Sequence, residues 1–370
     1  MVTYNPVPEG AVAPNLYFTT RDTVEVGEPF NFGIAFKNIS KVDFDSVKVK
    51  VTVTDKDNFE NKIYEGRKKA LLVNDTLKFN VTVDTKGLSG HNSIFVNFNP
   101  DYDQAEQHLF NNYAFKELYV RPDSLHPLMD VTFDGVHILN KDIVASKPEI
   151  VIKLKDEAKY MLLDDPSLVT IEVKFPGGTS RKFTYASGND TLQFIPASQS
   201  SNNTASINFN PLFLKDGDYE LIVTGQDRSG NSAGVVGYRV NFRVINKPMI
   251  SNMLNYPNPF TTSTAFVFTL TGSQVPQNLR IQILTITGKV VREITKDELG
   301  PIHIGRNITE FKWNGTDQYG QKLANGIYLY RVITNLNGKS LDKYKSTDIT
   351  NPDNTDKFFN NGYGKMYLMR

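Results

Sequence analysis

The sequence predicts an all-β fold made of three β-sandwich domains, and two observations carry this prediction. Apolar residues alternate with polar ones over short runs, for example at residues 30–36 and 47–53, which is the period of a half-buried strand. Gly, Pro, Asn and Asp separate these runs at close intervals. Residues 155–163 could form a short helix, but a turn or a single helical crossing inside a β fold suits them better. A chain of 370 residues has room for three domains of ordinary size.

Composition narrows the classes of function. Lys plus Arg number 41 and Asp plus Glu number 40, so the sequence offers no basic surface for nucleic acid or anionic lipid. The absence of cysteine excludes disulfides, thiolate metal sites and a cysteine nucleophile from this chain. No apolar run is long enough for a transmembrane helix, and the first residues lack the pattern of a signal peptide. Met1 starts either a cytosolic protein or, in our interpretation, a piece of a larger one.

The first predicted module comprises residues 1–121. Turns at residues 27–29, 55–58 and 85–87 separate its apolar runs. The inward-facing residues of the predicted strands are Phe30, Phe32, Ile34 and Phe36; Val47, Val49, Val51 and Val53; Leu77, Phe79, Val81 and Val83; and Ile94, Val96 and Phe98. Short strands at this spacing favour an antiparallel sandwich.

A polar hinge with two prolines at residues 121–127 precedes the second module, residues 122–247. Alternating apolar residues predict its strands at 150–152, 169–175, 192–194 and 207–209. Residues 216–223 read as a turn that leads into a strand, and residues 225–231 read as the next hairpin turn. The pattern is again that of a seven-stranded sandwich.

The third module, residues 248–370, contains the most distinctive motifs of the chain. We expect its two neighbouring prolines to fix the entry to the first strand, and the pairs Asn314-Gly315 and Asn325-Gly326 to form hairpin turns. Trp313 and Tyr328 are expected to cover the end of the core. The motif residues are Tyr256, Pro257, Asn258, Pro259, Trp313, Gly315, Asp317, Gly320, Asn325, Gly326 and Tyr328.

Two further strands are predicted in this module. Residues 327–333 are apolar at positions of both parities, which predicts a central strand covered on both faces. Phe358 and Phe359, with residues 366–369 after the turn at 362–364, predict a last strand.

Three loops of the second module are rich in acidic residues, and we consider Asp134, Asp164 and Asp227 as calcium candidates. Calcium binds several carboxylate and carbonyl oxygens, which loops at one end of a sandwich could bring together. The sequence has no EF-hand array, and Asp also favours turns because its side chain bonds to the local backbone. Calcium binding and turn formation therefore both stay open, and no other cofactor is expected.

No catalytic constellation is visible, so we expect this chain not to be an enzyme. The sequence has no Gly-x-Ser-x-Gly elbow and no phosphate-binding loop. Its five histidines lack the mutual spacing of a local metal site: His91, His108, His126, His137 and His303. The many Phe residues fit the inward alternation of the strands, so we expect a role in the core and not in stacking on sugars.

The first module resembles a CARDB-type domain, an immunoglobulin-like adhesion module of bacterial surface proteins. The matching segments are Val-Glu-Val-Gly-Glu at 24–28, Asn-Phe-Asn-Pro at 97–100 and Asn-Asn-Tyr at 111–113. The second module is similar to bacterial Ig-like domains whose penultimate hairpin carries an Asp-x-x-Gly-Asn turn, as residues 227–231 do.

The segment at 313–330 is similar to the Ig-like domain of flagellar hook-capping proteins. With the Pro-Asn-Pro opening at 257–259, it also resembles the C-terminal domains of Bacteroidetes proteins handled by the type IX secretion system. The resemblances together imply three immunoglobulin-like β-sandwich domains in series. Ordinary sorting domains end soon after the Gly-Ile-Tyr strand with a basic cluster. Here Lys339 to Lys345 is followed by a further stretch to Arg370, which favours a retained structural tail over a cleavable signal.

Three more segments, at 133–140, 286–301 and 357–366, resemble the C-terminal part of large gingipain-like proteins related to the type IX secretion sortase. The resemblance then covers nearly the whole chain. In that group a caspase-like cysteine protease domain lies upstream, and this chain, without cysteine, does not contain its nucleophile.

We therefore expect a non-catalytic C-terminal stalk and interaction region of a large secreted or surface protein, a gingipain-type cysteine protease or a sortase relative. It would position the upstream domains and dock to type IX secretion or outer-membrane components of a Bacteroidetes-type bacterium. The expected location is the cell surface, the medium or the outer membrane. The alternative is an adhesin or carbohydrate-binding β-sandwich protein, stabilised by calcium, that uses loops at the sandwich ends. Nucleic acid is not an expected partner.

Overall fold

The computed structural model describes residues 6–13, 21–185, 191–343, 359–360 and 362–370. Over these residues the chain forms six β-sheets and one short α-helix, which confirms the prediction of an all-β sandwich fold. Lys155 ends a strand and residues 156–163 form no helix, so of the two preferred interpretations the turn applies and the helical crossing does not. Lys357 and Phe358, assigned from the sequence to a family segment and to the last strand, lie outside the described residues.

The chain divides into two compact units. The first unit comprises residues 1–125 together with two short segments, 157–162 and 199–203, and the second unit comprises the remainder. The predicted boundary at residue 121 lies near the end of the first range, whereas the boundary at 247 falls inside the second unit. The separation of the second unit into two modules stays a prediction.

Residues 10–121 of the first unit form two sheets that share an apolar core. The order is β1-β3-β6 in one sheet and β2-β8-β7-β4-β5 in the other. Phe36 of the first sheet stacks on Phe98 of the second with ring centroids 4.5 Å apart, and both rings are buried. The strands are β1 (Gly10–Val12), β2 (Thr23–Glu25), β3 (Phe30–Asn38), β4 (Val47–Thr54), β5 (Glu60–Lys68), β6 (Thr76–Val83), β7 (Gly90–Phe98) and β8 (Tyr113–Arg121).

A buried loop network explains two of the motifs singled out in this module. The Glu106 carboxylate accepts hydrogen bonds from the side-chain amides of Asn99 and Asn112, each at 2.7 Å, and from the backbone N–H of Gly10 at 3.0 Å. Burial raises the pKa of Glu106. Because one carboxylate joins three separate segments, the two asparagine motifs tie the loop after β7 to β1.

The next two sheets contain residues 128–244. Their orders are β10-β17-β16-β12-β13 and β14-β15-β11-β9, and the rings of Phe133 and Phe242, 5.4 Å apart, join them across the core. A 3-10 helix at Pro166–Leu168 precedes the strand β12, which pairs with β16 and β13. The strands are β9 (Leu128–Phe133), β10 (Asp142–Val144), β11 (Ile150–Lys155), β12 (Val169–Lys174), β13 (Ser180–Phe183), β14 (Leu192–Ile195), β15 (Thr204–Phe209), β16 (Gly217–Gly225) and β17 (Tyr238–Val244).

The last two sheets contain residues 249–368, in the orders β22-β19-β18-β24 and β21-β20-β23-β26-β25. The predicted central strand is confirmed, since β23 is the third of five strands and its neighbours are β20 and β26. The elements are β18 (Met249–Tyr256), β19 (Ala265–Leu270), β20 (Asn278–Thr285), β21 (Val290–Ile294), α1 (Lys296–Leu299), β22 (Gly305–Ile308), β23 (Gly326–Asn335), β24 (Asp342–Lys343), β25 (Phe359–Asn360) and β26 (Tyr363–Leu368).

The short helix α1 was not foreseen, although the sequence carries its start signal. Thr295 and Glu298 have the spacing of a capping box, and the Glu298 carboxylate accepts the backbone N–H of Thr295 at 3.0 Å. Leu299 is buried and anchors the turn in the core. Among the described residues no helix could span a bilayer, since this single α-helix has four residues.

Within the second unit, the segment after β10 packs into the core formed by the last two sheets. Ala145 is buried in that core, and the backbone N–H of Ser146 donates to the carbonyl of Gly272 at 3.4 Å. A side-chain carbon at Gly305 would lie 2.5 Å from the carbonyl oxygen of Ile143. The second and third modules therefore share core contacts, which explains why they belong to one compact unit.

Candidate functional site

The first motif of the third module, residues 256–260, begins at the end of a strand. Pro257 and Pro259 lie between β18 and β19, so they precede β19 but do not stand at the entry to β18, with which the module begins. Proline suits this connection because it lacks the N–H that a position inside a paired strand needs. Tyr256 at the end of β18 is 72% exposed.

Asn258 of this motif binds the C-terminal strand. Its side-chain amide donates to the carbonyl of Lys365 at 2.9 Å, and its side-chain oxygen accepts the backbone N–H of Tyr367 at 3.0 Å. The backbone of Phe260 continues the contact, accepting from Met369 at 2.9 Å and donating to Tyr367 at 3.0 Å. The first motif therefore covers the outer edge of β26 with both side-chain and backbone hydrogen bonds.

The second motif of the third module, residues 313–330, begins with Trp313. The indole is fully buried, its ring N–H donates to the carbonyl of Thr316 at 2.8 Å, and its ring packs on Phe260 and Tyr328 at 5.6 Å each. Trp313 and Tyr328 both belong to the core of the last two sheets, and that they cover its end stays a prediction. The contact with Phe260 also joins the two motifs, although 53 residues separate these positions in the sequence (313 − 260).

The two Asn-Gly pairs do not form hairpin turns. Asn325 instead pairs with the last residue, since its side-chain amide donates to the carbonyl of Arg370 and its side-chain oxygen accepts the N–H of Arg370, both at 2.9 Å. Gly315 has φ +74°, and a β-carbon there would lie 2.8 Å from Leu368. The tertiary contacts with residues 368–370 overrode the local preference of Asn-Gly for a two-residue turn.

The remaining motif residues build a loop beside this contact. The Asp317 carboxylate accepts the backbone N–H groups of Tyr319 and Gln321 at 2.9 and 2.8 Å, and Gly320 in that loop has φ +83°. Tyr328 donates its hydroxyl hydrogen to the carbonyl of Ala324 at 2.8 Å, and burial raises the pKa of Tyr328. Asp317 is therefore engaged in shaping the turn between the two halves of the second motif.

The strand that both motifs hold is part of the core. Met366 and Leu368 are buried, and β26 pairs with the central strand β23 from Gly326↔Leu368 to Tyr330↔Gly364. The ring of the buried Tyr330 lies directly over Gly364, where a β-carbon would fall 1.9 Å from a ring atom. This packing extends the strand back to Tyr363, whereas the sequence had placed a turn there. We call Asn258, Phe260, Gly315 and Asn325, with residues 363–370, the C-terminal clasp.

The three calcium candidates occupy different surroundings. The Asp164 carboxylate is bonded by Arg228 at 2.9 Å. Asp134 accepts the backbone N–H of Glu149 at 2.9 Å, and surrounding protein atoms raise its pKa although the residue keeps contact with solvent. Within the described part of the chain, neither Asp134 nor Asp164 belongs to a group of three acidic or histidine side chains with ligand atoms within 4.8 Å.

Asp227 is buried and acts as a turn residue. Its carboxylate accepts the N–H groups of Ser229 and Asn231 and the side-chain amide of Asn231, each at 2.8 Å. We expect D227A to lower the free energy of unfolding by about 2–4 kcal/mol in the presence of a chelator, because three hydrogen bonds to a charged group are lost. Calorimetric unfolding tests this, with R228A as a control in the same loop that should cost less than about 1 kcal/mol. A loss that appears only when calcium is added would assign Asp227 to a calcium site instead.

The clasp asparagines give a further prediction. We expect N258A and N325A each to lower the free energy of unfolding of the third module by about 1–2 kcal/mol, since each removes two hydrogen bonds to backbone groups. Urea unfolding followed by the fluorescence of Trp313, the single tryptophan of the chain, measures the effect in this module. The control is N278A, because the exposed side chain of Asn278 has no hydrogen bond with the residues that the structure describes. Equal free energies of unfolding for all three variants would show that the clasp asparagines do not stabilise the module.

Comparison with known proteins gives similarity to solved structures alone. No family model matches the sequence, and no curated protein matches it. Dimeric latent PorU from Porphyromonas gingivalis is 18% identical, with a TM-score of 0.26, over 98% of this chain and 34% of that chain. The chain thus spans about a third of the length of that protein.

Two further similar structures each cover about a third of this chain. The CARDB domain of a Pyrococcus furiosus protein, in complex with di-metal ions, is 17% identical over 31% of this chain and 89% of that chain, with a TM-score of 0.26. Its solution NMR structure is 17% identical over 32% of this chain and 98% of that chain, with the same TM-score of 0.26.

Proposed function

We propose that this chain is a non-catalytic stalk and interaction region from the C-terminal part of a large secreted or surface protein. The observation that carries the proposal is the C-terminal clasp. The most distinctive polar residues of the third module, Asn258 and Asn325, have both side-chain atoms bonded to the backbone of residues 365–370. Side chains that bond to the backbone through both of their polar atoms stabilise a fold, and this supports a structural role for the motif.

The same contacts support a retained tail. A signal designed for removal would be expected to leave the domain intact when it departs. Here β26 contributes Met366 and Leu368 to the core and pairs with the central strand β23. Its removal would expose an apolar strand edge, which is an aggregation hazard. We infer that residues 363–370 stay with the mature protein.

The location and the partners follow from the resemblance of the motifs. Pro-Asn-Pro at 257–259 and the segment at 313–330 resemble C-terminal domains of the type IX secretion pathway. On this basis we place the chain at the cell surface, in the medium or on the outer membrane of a Bacteroidetes-type bacterium. Its partners would be the upstream domains of its own protein, of the gingipain or sortase-related type, and components of the outer membrane or of type IX secretion.

The experiment uses the purified 370-residue chain in two assays. Screening against peptide and glycoside substrates should give no turnover. Incubation with a detergent-solubilised outer membrane from a gingipain-secreting bacterium should retain a secretion or outer-membrane component in a saturable manner. A chain without residues 363–370, in which the last two sheets are expected to unfold, should lose that retention if the third module carries the docking surface. Turnover by the purified chain, or no retained envelope component, would contradict the proposal.

A further inference from the structure

An uninterrupted row of side chains covers the outer face of β7 and β8 in the first unit. Four residues of β7 lie directly opposite four of β8, and the intervening residues, such as Ile94, Val96 and Leu118, are buried on the core side. The four outward pairs are His91 with Tyr119, Ser93 with Glu117, Phe95 with Phe115, and Asn97 with Tyr113. Six residues separate His91 from Asn97, so the row is about 20 Å long.

Aromatic rings dominate this row, contrary to the expectation that the Phe residues belong to the core. Phe95 and Phe115 stack with ring centroids 4.8 Å apart, and Phe95 also contacts Tyr113 at 5.5 Å. The rings of His91 and Tyr119 are 4.8 Å apart. Phe115 is 68% exposed and Tyr119 is 36% exposed. Cross-strand pairs of this kind stabilise a sheet, but that role does not require rings facing solvent.

The row continues onto the loop after β7. A hydrogen bond with Tyr102, whose side chain is 58% exposed, raises the pKa of Tyr113. We call His91, Phe95, Tyr102, Tyr113, Phe115 and Tyr119 the aromatic stripe. A contiguous exposed stripe of this size is uncommon on a surface that only meets water, and it marks an interaction site.

The charges beside the stripe do not favour an anionic ligand. The lysines on the outer face of β4 and β5 are all paired with carboxylates: Lys48 with Glu65 at 2.8 Å, Lys50 with Glu60 at 3.7 Å, and Lys62 with Glu65 at 3.0 Å. At the far end of β8, Arg121 lies 3.9 Å from Glu25. Among the described residues of β4, β5 and β8, no unpaired cation therefore faces the stripe. Nucleic acid or a polyanionic glycan would need such cations.

The polar groups within the stripe suit a neutral ligand with many hydroxyl groups. Ser93 donates to Glu117 at 3.3 Å, which leaves a second carboxylate oxygen as an acceptor between two aromatic pairs. Asn97 supplies both a donor and an acceptor beside Tyr113. Hydroxyl groups can bond to all of these, while the C–H face of a sugar ring carries the slight positive charge that the face of an aromatic ring attracts.

We propose that the aromatic stripe binds a neutral polysaccharide, with Phe115 and Tyr119 stacking on sugar rings and Glu117 accepting a sugar hydroxyl between them. This site is independent of the clasp and of the stalk role. A second copy of the chain fits less well, because a two-fold contact centred on the stripe would bring two Glu117 carboxylates together in a buried position. An uncharged polyol has no such penalty.

The test measures binding of the 370-residue chain to soluble laminarin, galactomannan and xyloglucan, with alginate as the polyanionic comparison, by affinity electrophoresis and calorimetry. We expect saturable binding to at least one neutral polysaccharide. F115A and Y119A should each weaken it by about tenfold, the effect of one aromatic contact. F59A is the matched control, since Phe59 is 69% exposed in the first unit but lies in the turn before β5. F115Y should retain binding, and equal melting temperatures would show that the variants are folded.

Several outcomes would overturn the proposal. These are no binding to any of the three neutral polysaccharides, binding that F115A and Y119A leave unchanged, or preference for alginate. Concentration-dependent dimerisation of the wild type that F115A abolishes would assign the stripe to a contact between copies of the chain. Loss of residues 363–370 should leave polysaccharide binding intact, so failure of the stalk proposal and failure of this one give different results.

Discussion

Deletion of residues 363–370 is expected to unfold the last two sheets. The deletion removes a neighbour of the central strand β23 and takes Met366 and Leu368 out of the core. Loss of either side chain alone would cost about 2–5 kcal/mol. Together with the lost strand pairing, this is comparable to the whole stability of a domain, about 5–15 kcal/mol. Trp313 should then become exposed, and its fluorescence emission should shift to the red under native conditions.

A point substitution in the same strand controls for this deletion. Lys365 directly precedes the buried Met366 but points to solvent, with its amine 5.2 Å from the ring of Tyr367. K365A should change the free energy of unfolding by less than about 0.5 kcal/mol. A truncated chain that melts like the wild type, with Trp313 still buried, would show that β26 is dispensable.

Replacement of Trp313 by alanine is the second change with a large expected effect. The indole is fully buried between Phe260 and Tyr328, so we expect W313A to lower the free energy of unfolding by about 3–5 kcal/mol. The indole hydrogen bond to Thr316 is lost as well, which would loosen the second motif. Because the substitution removes the fluorophore, circular dichroism and calorimetry are the appropriate measurements.

Tyr319 supplies the control for this substitution. It lies in the loop of the same motif but is 81% exposed, so Y319A should cost less than about 0.5 kcal/mol. Similar losses for W313A and Y319A would contradict the assignment of Trp313 to the core that joins the two motifs.

The fold class could be predicted because its signals are local. Alternation over a few residues defines a strand, and the apolar residues of both parities in β23 predicted a central position in its sheet. The capping box before α1 was equally local, and reading it at Thr295 would have found the helix.

The clasp could not be predicted because its contacts are distant in the sequence. Asn258 bonds to a residue 107 positions later, and Asn325 bonds to Arg370, 45 positions later. Local chemistry favoured a hairpin turn at Asn325-Gly326 and a strand entry at the prolines. The conformation at both positions is instead determined by hydrogen bonds with residues 365–370. No local sequence pattern shows which strand an asparagine side chain will bond to.

The aromatic stripe illustrates a different limit. Alternation in β7 and β8 shows that residues of one parity share a face, but both faces of β7 carry apolar residues. Ile94 and Val96 took the inner face because the facing sheet packs on them, which turned Phe95 outwards. The inward assignment of Ile94, Val96 and Phe98 made from the sequence is therefore confirmed. The pairing that brings Phe95 next to Phe115 and Tyr113 depends on the register of two strands, so the sequence of one strand does not contain it.

The central claim is that residues 363–370 form a retained strand, locked into the last sheet by the two motifs. Native-state hydrogen exchange of the backbone amides of β26 tests it most directly. We predict protection of Met366 and Leu368 that equals that of β23, and a loss of that protection in the double variant N258A/N325A before β20 is affected. Fast exchange along residues 363–368 in the wild type, like that of an unstructured tail, would contradict the account.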